Sequence, residues 1–355
     1  MVTVRHDLLR TMLEEIYQAK GTPADEAEIV ARHQVTANLV GHDSHGVIQT
    51  PAYVKRIDDG EIVPGAAFDI ERSTPTTAVI DANWGFGFVQ TERAMQRAID
   101  MAHDAGVGAV TVRCQGHIGR LGAYAKMAAD AGMIALVAAD SGRAPKAVAP
   151  FGGRSRRLGT NPLSVGIPRA SGAPIVLDMA TSAVAAGKIG LARSRGDSIP
   201  EGWVIDAEGH HTTDPNAYYD GGALLPLGGE QGYKGFGLSV VVEVLCGLLT
   251  GLGFGVYPDG RHNDGCFLAV FNVSHFRDPG EFSSEVDDFV EYLKGSPPAA
   301  GSSGVLYPGE LEERSLAQRE QDGVEIEPAT WTALRVLLDE LDLQVDGVAT
   351  ADPLD

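Results

Sequence analysis

The chain opens on a helical period. Leu8, Leu9, Met12, Leu13, Ile16 and Tyr17 recur at three- and four-residue spacing, which predicts a helix ended by Gly21. Thr22, Pro23 and Asp25 then supply an N-cap, a proline at the first helical position and an acid in the first turn. They predict a second helix running to about Leu39, before Gly41. A small helical unit is expected up to Arg72. The period then shortens. Strands are predicted over 76–84, 108–113, 133–140, 163–168, 174–180 and 267–273, with helices over 91–105, 122–131 and 235–250. The helical period returns near Pro279 with an acidic amphipathic segment. A Ser-, Pro- and Gly-rich stretch over 296–304 follows, then two helices over 310–321 and 328–342.

Alternating strands and helices indicate an α/β or α+β sheet domain of roughly two hundred residues. Three segments are expected: 1–72 helical, 73–279 holding the sheet, and 280–355 packing back on the N-terminal helices. The length of 355 residues suits such a two-domain arrangement.

Charge changes the picture. The net charge is −20, and 18 acids against four bases between Gly280 and Asp355 carry −14 of it. No basic cluster stands ready for phosphates, which argues against nucleic acid and anionic membrane surfaces. No run of about 18 apolar residues is present to span a bilayer. The polar start reads as no secretory signal. Cys114, Cys246 and Cys266 are odd in number and far apart, so a reduced, cytoplasmic protein is expected.

The dinucleotide fingerprint G-x-G-x-x-G is missing. Gly85-Phe86-Gly87 comes nearest, with Gln90 where the third glycine belongs. No P-loop, H-E-x-x-H or G-x-S-x-G stands in the chain. The histidines lack metal-ligand spacing, so no metal is expected. Four polar segments carry candidate chemistry. Gly41-His42-Asp43-Ser44-His45-Gly46 places two imidazoles beside a carboxylate and a hydroxyl. A helix cap explains His42; proton transfer and a turn are equally good readings of His45. In Gln115-Gly116-His117-Ile118-Gly119-Arg120-Leu121-Gly122, a glycine-rich turn opens a helix, with Arg120 as a local cation. Asp178 closes an apolar strand; it reads as a helix-capping acid or as an orienting carboxylate. Lys234 sits in the glycine-rich stretch Leu225–Gly237, either a plain loop or an anion site at a helix start.

The segments GHDSHGV, VAPFGGRSRRLGTNPLSVGIP, IVLDMATS, GKIGLARSRGDSIPEGWVIDAEGHHTTDP, LLPLGGEQGYKGFGL and PGELEE together resemble the malate/L-lactate dehydrogenase family of non-Rossmann type, spanning about residues 5 to 340. GHIGRLG and the segment before PGE are most similar to its hydroxycarboxylate dehydrogenase B branch. The resemblance implies an α+β fold: a mixed, non-Rossmann sheet domain binding NAD or NADP, with a helical domain formed by both chain ends. It implies a homodimer and a small 2-hydroxy or 2-oxo acid substrate. It implies His45 or His117 as acid/base, with Asp178 orienting the base or the cofactor. The cofactor site is implied at His45, Gly119, Arg120, Leu121, Val176, Leu177, Asp178, Met179, Ala180, Lys234, Gly309 and Glu310. Ser44, Gln49 and Arg120 fall on the substrate side. Many relatives have an arginine where this chain has Gln49, and an amide cannot form a bidentate pair with a carboxylate. Reduction of a cyclic imine carboxylate is the alternative activity. A catalytically silent ligand-binding protein on the same fold is the third.

The first 279 residues carry only −6 of the net charge. KM for an anionic substrate is therefore expected to change little with added salt; a steep fall in KM in a salt series would show that the acidic segment repels substrate.

Overall fold

A computed structural model describes residues 1–140, 145–255, 261 and 263–347. The last eight positions of the expected C-terminal segment lie outside them. The elements run β1 (Val2–Val4), α1 (His6–Ala19), α2 (Ala24–Leu39), α3 (Thr50–Asp58), β2 (Asp69–Ser73), β3 (Thr77–Gly85), α4 (Gly87–Ala105), β4 (Val107–Gln115), α5 (Gly122–Asp130), β5 (Met133–Asp140), β6 (Leu163–Ile167) and β7 (Ile175–Met179). A lobe follows with α6 (Ala186–Arg195), β8 (Val204–Ile205), β9 (His211–Thr212), α7 (Asn216–Tyr219) and β10 (Ala223–Leu224). The chain ends with α8 (Tyr233–Glu243), β11 (Gly265–Asn272), α9 (Pro279–Lys294), α10 (Glu310–Asp322), β12 (Val324–Ile326) and α11 (Pro328–Glu340).

Seven strands form one sheet in the order β2-β3-β4-β11-β5-β6-β7. Only β3 and β4, joined by the α4 crossover, pair in parallel; every other neighbour is antiparallel. This is a mixed α+β sheet, not a doubly wound parallel one. Helices α4 and α5 cover one face. Ala94, Met95, Ala98, Tyr124, Ala125 and Ala128 meet Ile80, Val110, Val137 and Leu268 in one core. The helices come down to the backbone: a Cβ on Gly108 would stand 2.2 Å from Ala98 O, and one on Gly166 2.2 Å from Ala125 O.

A second core gathers both chain ends. Leu9, Met12, Ile16, Val30 and Val35 pack with Trp331, Leu334 and Leu338. β1 and β12 pair antiparallel across it, Val2 opposite Ile326. Phe86 and Phe88 enter this core from the β3–α4 junction, so the two parts share apolar surface.

Several boundaries differ from the pattern reading. Residues 69–72 are edge strand rather than part of the helical unit. Helix α9, expected to pack on the N-terminal helices, is tied to the β6–β7 turn: Arg169 Nε donates to Asp287 Oδ1 at 2.7 Å, and Ser171 N to Asp287 Oδ2 at 2.9 Å. It starts only a few residues beyond β11, so it has no length of chain to leave the sheet; the stretch after it carries α10 and α11 across. The long helix expected over 235–250 is α8 followed by a π-helical turn at Val244–Leu248. Among the described residues, no helix is long and apolar enough to cross a membrane.

Candidate active site

The turn after α2 carries His45, and two buried polar side chains of α2 hold it. Asn38 Oδ1 accepts from Val47 N at 2.9 Å, and Asn38 Nδ2 donates to Asp43 Oδ1 at 2.7 Å. Gln34 Nε2 donates to Gly46 O at 3.2 Å, while Gln34 Oε1 accepts from the Tyr17 hydroxyl at 2.6 Å. Gly46 is needed for this fit, because a Cβ there would lie 2.1 Å from Asn38 Oδ1. His42 closes α2 as its cap reading requires: its N–H donates to Ala37 O at 2.8 Å beyond Gly41, whose φ is +86°. Its ring meets Glu312 Oε1 at 3.1 Å. Ser44 Oγ lies 3.1 Å from His45 Nδ1. Gln49 Nε2 donates to Ser44 O at 2.9 Å, so the amide braces the turn.

The loop between β4 and α5 brings His117 to the same place. Asp264, just before β11, accepts from Ile118 N at 3.2 Å, and its own N–H donates to Gln115 O at 3.2 Å. The loop lies on the start of α4, where a Cβ on Gly87 would stand 2.2 Å from Gly116 O. The near-miss Gly85-Phe86-Gly87 is thus a packing device. Gly119 has φ +71° and closes on the Phe88 ring; a Cβ there would stand 2.2 Å from Phe88 Cε1.

The two imidazoles, 72 residues apart in sequence, stack with ring centroids 5.6 Å apart and planes at 20°. The Tyr53 hydroxyl, from α3, lies 2.6 Å from His117 Nδ1. Burial pushes the His45 imidazolium down to about 3, and the neighbouring His117, His42 and Arg120 push the same way. At neutral pH His45 is an uncharged ring.

Arg120 and Asp178 meet beside this pair. Asp178 Oδ2 accepts from Gly122 N at 2.7 Å, capping α5 from the neighbouring strand rather than its own next helix. A Cβ on Gly122 would lie 2.8 Å from Asp178 Oδ2 and 3.2 Å from Arg120 Nη2. Burial pushes Asp178 up; the positive charge of Arg120 and the Gly122 N–H pull it back. The strand β7 carrying Asp178 is the edge of the sheet, and every residue from Ile175 to Met179 is half-buried. Its N–H and C=O groups alternate between β6 and the open side. Val176 N points outward to Pro308 O at 2.9 Å, which places the Asp178 and Ala180 main-chain groups on the same open edge. Leu177 O points inward, accepting from Ser164 Oγ at 2.6 Å.

The remaining candidates divide. Gly309, with φ +98°, presses on Val176, to whose nitrogen a Cβ would stand 3.1 Å. The Glu310 carboxylate is taken up inside the protein by Lys294 and Arg314, each at 2.6 Å. Leu121 is core, under α5. Lys234 is exposed and bonded to Gln231, near the far end of β7, where Leu227 N donates to Thr181 O at 2.9 Å. Gly309, Asp178 with Arg120, and Leu227 ahead of Lys234 thus follow one another along β7 and the residues just after it, while Leu121 and the Glu310 carboxylate are turned inward. Tyr53, Asp264, Glu312, Gln34 and Asn38 were missed. Only the last two left a signal, as paired polar positions one turn apart on a helix ending at the His45 turn. Among the described residues no group of three His, Cys, Asp or Glu could hold a metal ion.

The sequence pattern described as malate/L-lactate dehydrogenase matches residues 4–335. The L-sulfolactate dehydrogenase of Methanothermobacter thermautotrophicus is 38% identical over 94% of this chain and 96% of its own. The L-lactate dehydrogenase of Cupriavidus necator is 38% identical over 95% of this chain and 97% of its own. The solved sulfolactate dehydrogenase from Methanocaldococcus jannaschii superposes with a TM-score of 0.89 at 34% identity, covering 98% of this chain and 99% of that one. The chain belongs to the malate/L-lactate dehydrogenase family. It is an oxidoreductase of the 2-hydroxy acid dehydrogenase class.

The His45 imidazolium is held at about 3, whereas an unfolded imidazole titrates near 6.5. Between these values the unfolded chain binds a proton that the folded chain does not. Stability from this group is therefore complete above about pH 6.5 and lost as pH falls toward 3. His45→Gln, which cannot be charged, is expected to flatten the acid side of a stability profile measured by urea melts at pH 4 to 7. An unchanged profile would show that the ring is not held neutral.

Proposed function

We propose that this chain is an NAD(P)-dependent dehydrogenase of a small 2-hydroxy acid, with His117 as its acid/base. The observation that carries the reading is the stacked pair of imidazoles with Tyr53 on His117 Nδ1. With Nδ1 so engaged, proton exchange with a substrate oxygen falls to Nε2 of His117. His45, held down near 3, is a poor proton carrier at neutral pH and presents a flat, uncharged ring instead.

The residues along β7 suit a nicotinamide dinucleotide. The outer main-chain edge at Asp178 and Ala180 offers donors and acceptors for a planar amide, and the Asp178 and Glu312 carboxylates suit ribose hydroxyls. When bound, the nicotinamide supplies or accepts the hydride exchanged with C2 of the substrate. The chain's own work is orientation and the proton. In oxidation His117 takes the proton of the substrate hydroxyl; in reduction the imidazolium returns it to the carbonyl oxygen. Arg120 is the cation beside the imidazoles, and its fork suits a substrate carboxylate in place of the amide at Gln49. The acids named for the relatives, lactate and sulfolactate, are both small 2-hydroxy carboxylates, which supports that substrate class.

A homodimer is supported by the far side of α8. Leu238 and Val241 of α8, Val244 and Leu248 of the π-helical turn and Leu249 after it are exposed, the last by 57%. An exposed run of large apolar side chains marks an interaction surface, so a second copy is the occupant this face suits. Light scattering should give twice the chain mass for the wild type and one chain mass for Val241→Glu combined with Leu248→Glu. A wild-type monomer at micromolar concentration contradicts this.

Activity is tested by NADH and NADPH oxidation with pyruvate, oxaloacetate and sulfopyruvate. His117→Ala should lower kcat by about 100- to 10,000-fold with cofactor binding retained. Wild-type rates in that variant would remove His117 from the reaction.

A further inference from the structure

The segment that delivers His45 also delivers Tyr53. Helix α3 starts directly after the His45 turn, with Pro51 in its first turn, and places Tyr53 on its buried side. His117 is thereby held on two sides by one short stretch of chain, the stacked His45 ring on one and the Tyr53 hydroxyl on the other. The tyrosine is 1% exposed. Its ring packs edge-on against Phe88 at 5.7 Å, and the Arg56 guanidinium stands 6.0 Å from its centroid. Among the described residues, the His117 imidazole is the hydrogen-bond partner of its hydroxyl. A phenol placed in an apolar core loses its hydration, and one partner restores it only where the two are aligned.

We propose that Tyr53 is a positioning residue of the reaction, a fixed partner for Nδ1 that holds the His117 ring in one orientation and serves both of its protonation states. This rests on the assignment of His117 as acid/base. A hydroxyl has one proton and two lone pairs, so it donates to a bare Nδ1 and accepts from a protonated one. Tyr53 does not itself give up a proton, because burial, and then the neighbouring Tyr17, push its ionisation well above the usual tyrosine range. In this role it acts through the imidazole. The bond to the imidazolium is charge-assisted and stronger than the bond to the neutral ring, so Tyr53 favours the charged form of His117.

Among the described residues, the charged and titratable groups near the stacked rings include His45 on the facing turn, His42 just before it, Arg120 in the same loop as His117 and Asp264, whose carboxylate accepts from Ile118 N. Tyr53→Phe leaves all of them in place and keeps the packing on Phe88. The expected result is a fall in kcat of about 10- to 100-fold with the KM for oxo acid and cofactor within about two-fold. The apparent pKa in the kcat/KM profile should fall by about half to one unit, since the partner of the charged form is gone. In the His117→Ala background the same substitution should cost nothing further, because residues acting as a unit are not additive. Unchanged kcat and pH profile in Tyr53→Phe overturn the proposal. So does a loss of equal factor in both backgrounds, which is the mark of a general structural defect; thermal melts of the variants report that defect directly. Full activity in His117→Ala would instead remove the underlying assignment, and is read in a separate arm.

Discussion

The hydrogen bond between the Tyr53 hydroxyl and His117 Nδ1 is, among those that cross the seam between the helical core and the sheet, the one on which the site depends. Everything else at the site is arranged so that this contact can form. Gln34 and Asn38 hold the turn that carries His45 and starts α3. Asp264 and the glycine contacts at Gly87 and Gly119 hold the loop that carries His117. Neither imidazole is placed by its own segment alone. A shift of either core against the other would break the bond and part the stacked rings, so the geometry reports the fit of the two cores. Phe86 and Phe88 leave the sheet for the helical core and bury their rings across that fit.

The electrostatics follow from the same seam. The molecule is strongly acidic, yet around the imidazoles the charges are paired or buried, while Lys234 stands exposed. Arg120 faces Asp178, His42 faces Glu312, and Glu310 is neutralised by Lys294 and Arg314. His45 is kept uncharged by burial and by the cations around it. A buried site in which one imidazole is held neutral suits chemistry that moves a single proton, since two adjacent imidazolium ions would repel.

Much of the architecture was legible in the residues. The helical repeat of Leu9, Met12, Leu13 and Ile16, the strand runs at 133–140 and 267–273, and Gly106 at the end of α4 each define a local structure through local sterics and side-chain period. The long segments from GHDSHGV to PGELEE also carried the family and its class of activity, because such strings are unusual enough to stand alone. Short helices were harder. α3 buries only Thr50, Tyr53 and Val54, too few positions to fix a period, so the residue that anchors His117 passed unnoticed.

What only the tertiary structure decided is partnership. Asp178 read as a cap or an orienting carboxylate; it caps α5, a helix 56 residues earlier, because β7 lies beside it in the fold. Glu310 read as a cofactor contact, and its carboxylate is spent on an internal ion pair with Lys294, which α9 brings up. Gln49 read as a lost substrate grip, and its amide braces the turn. Composition and period act over a few residues and so determine the elements and, by their sum, the class of protein. Which of two imidazoles is anchored, and by what, depends on contacts between residues 64 positions apart, and those exist only once the two cores have met.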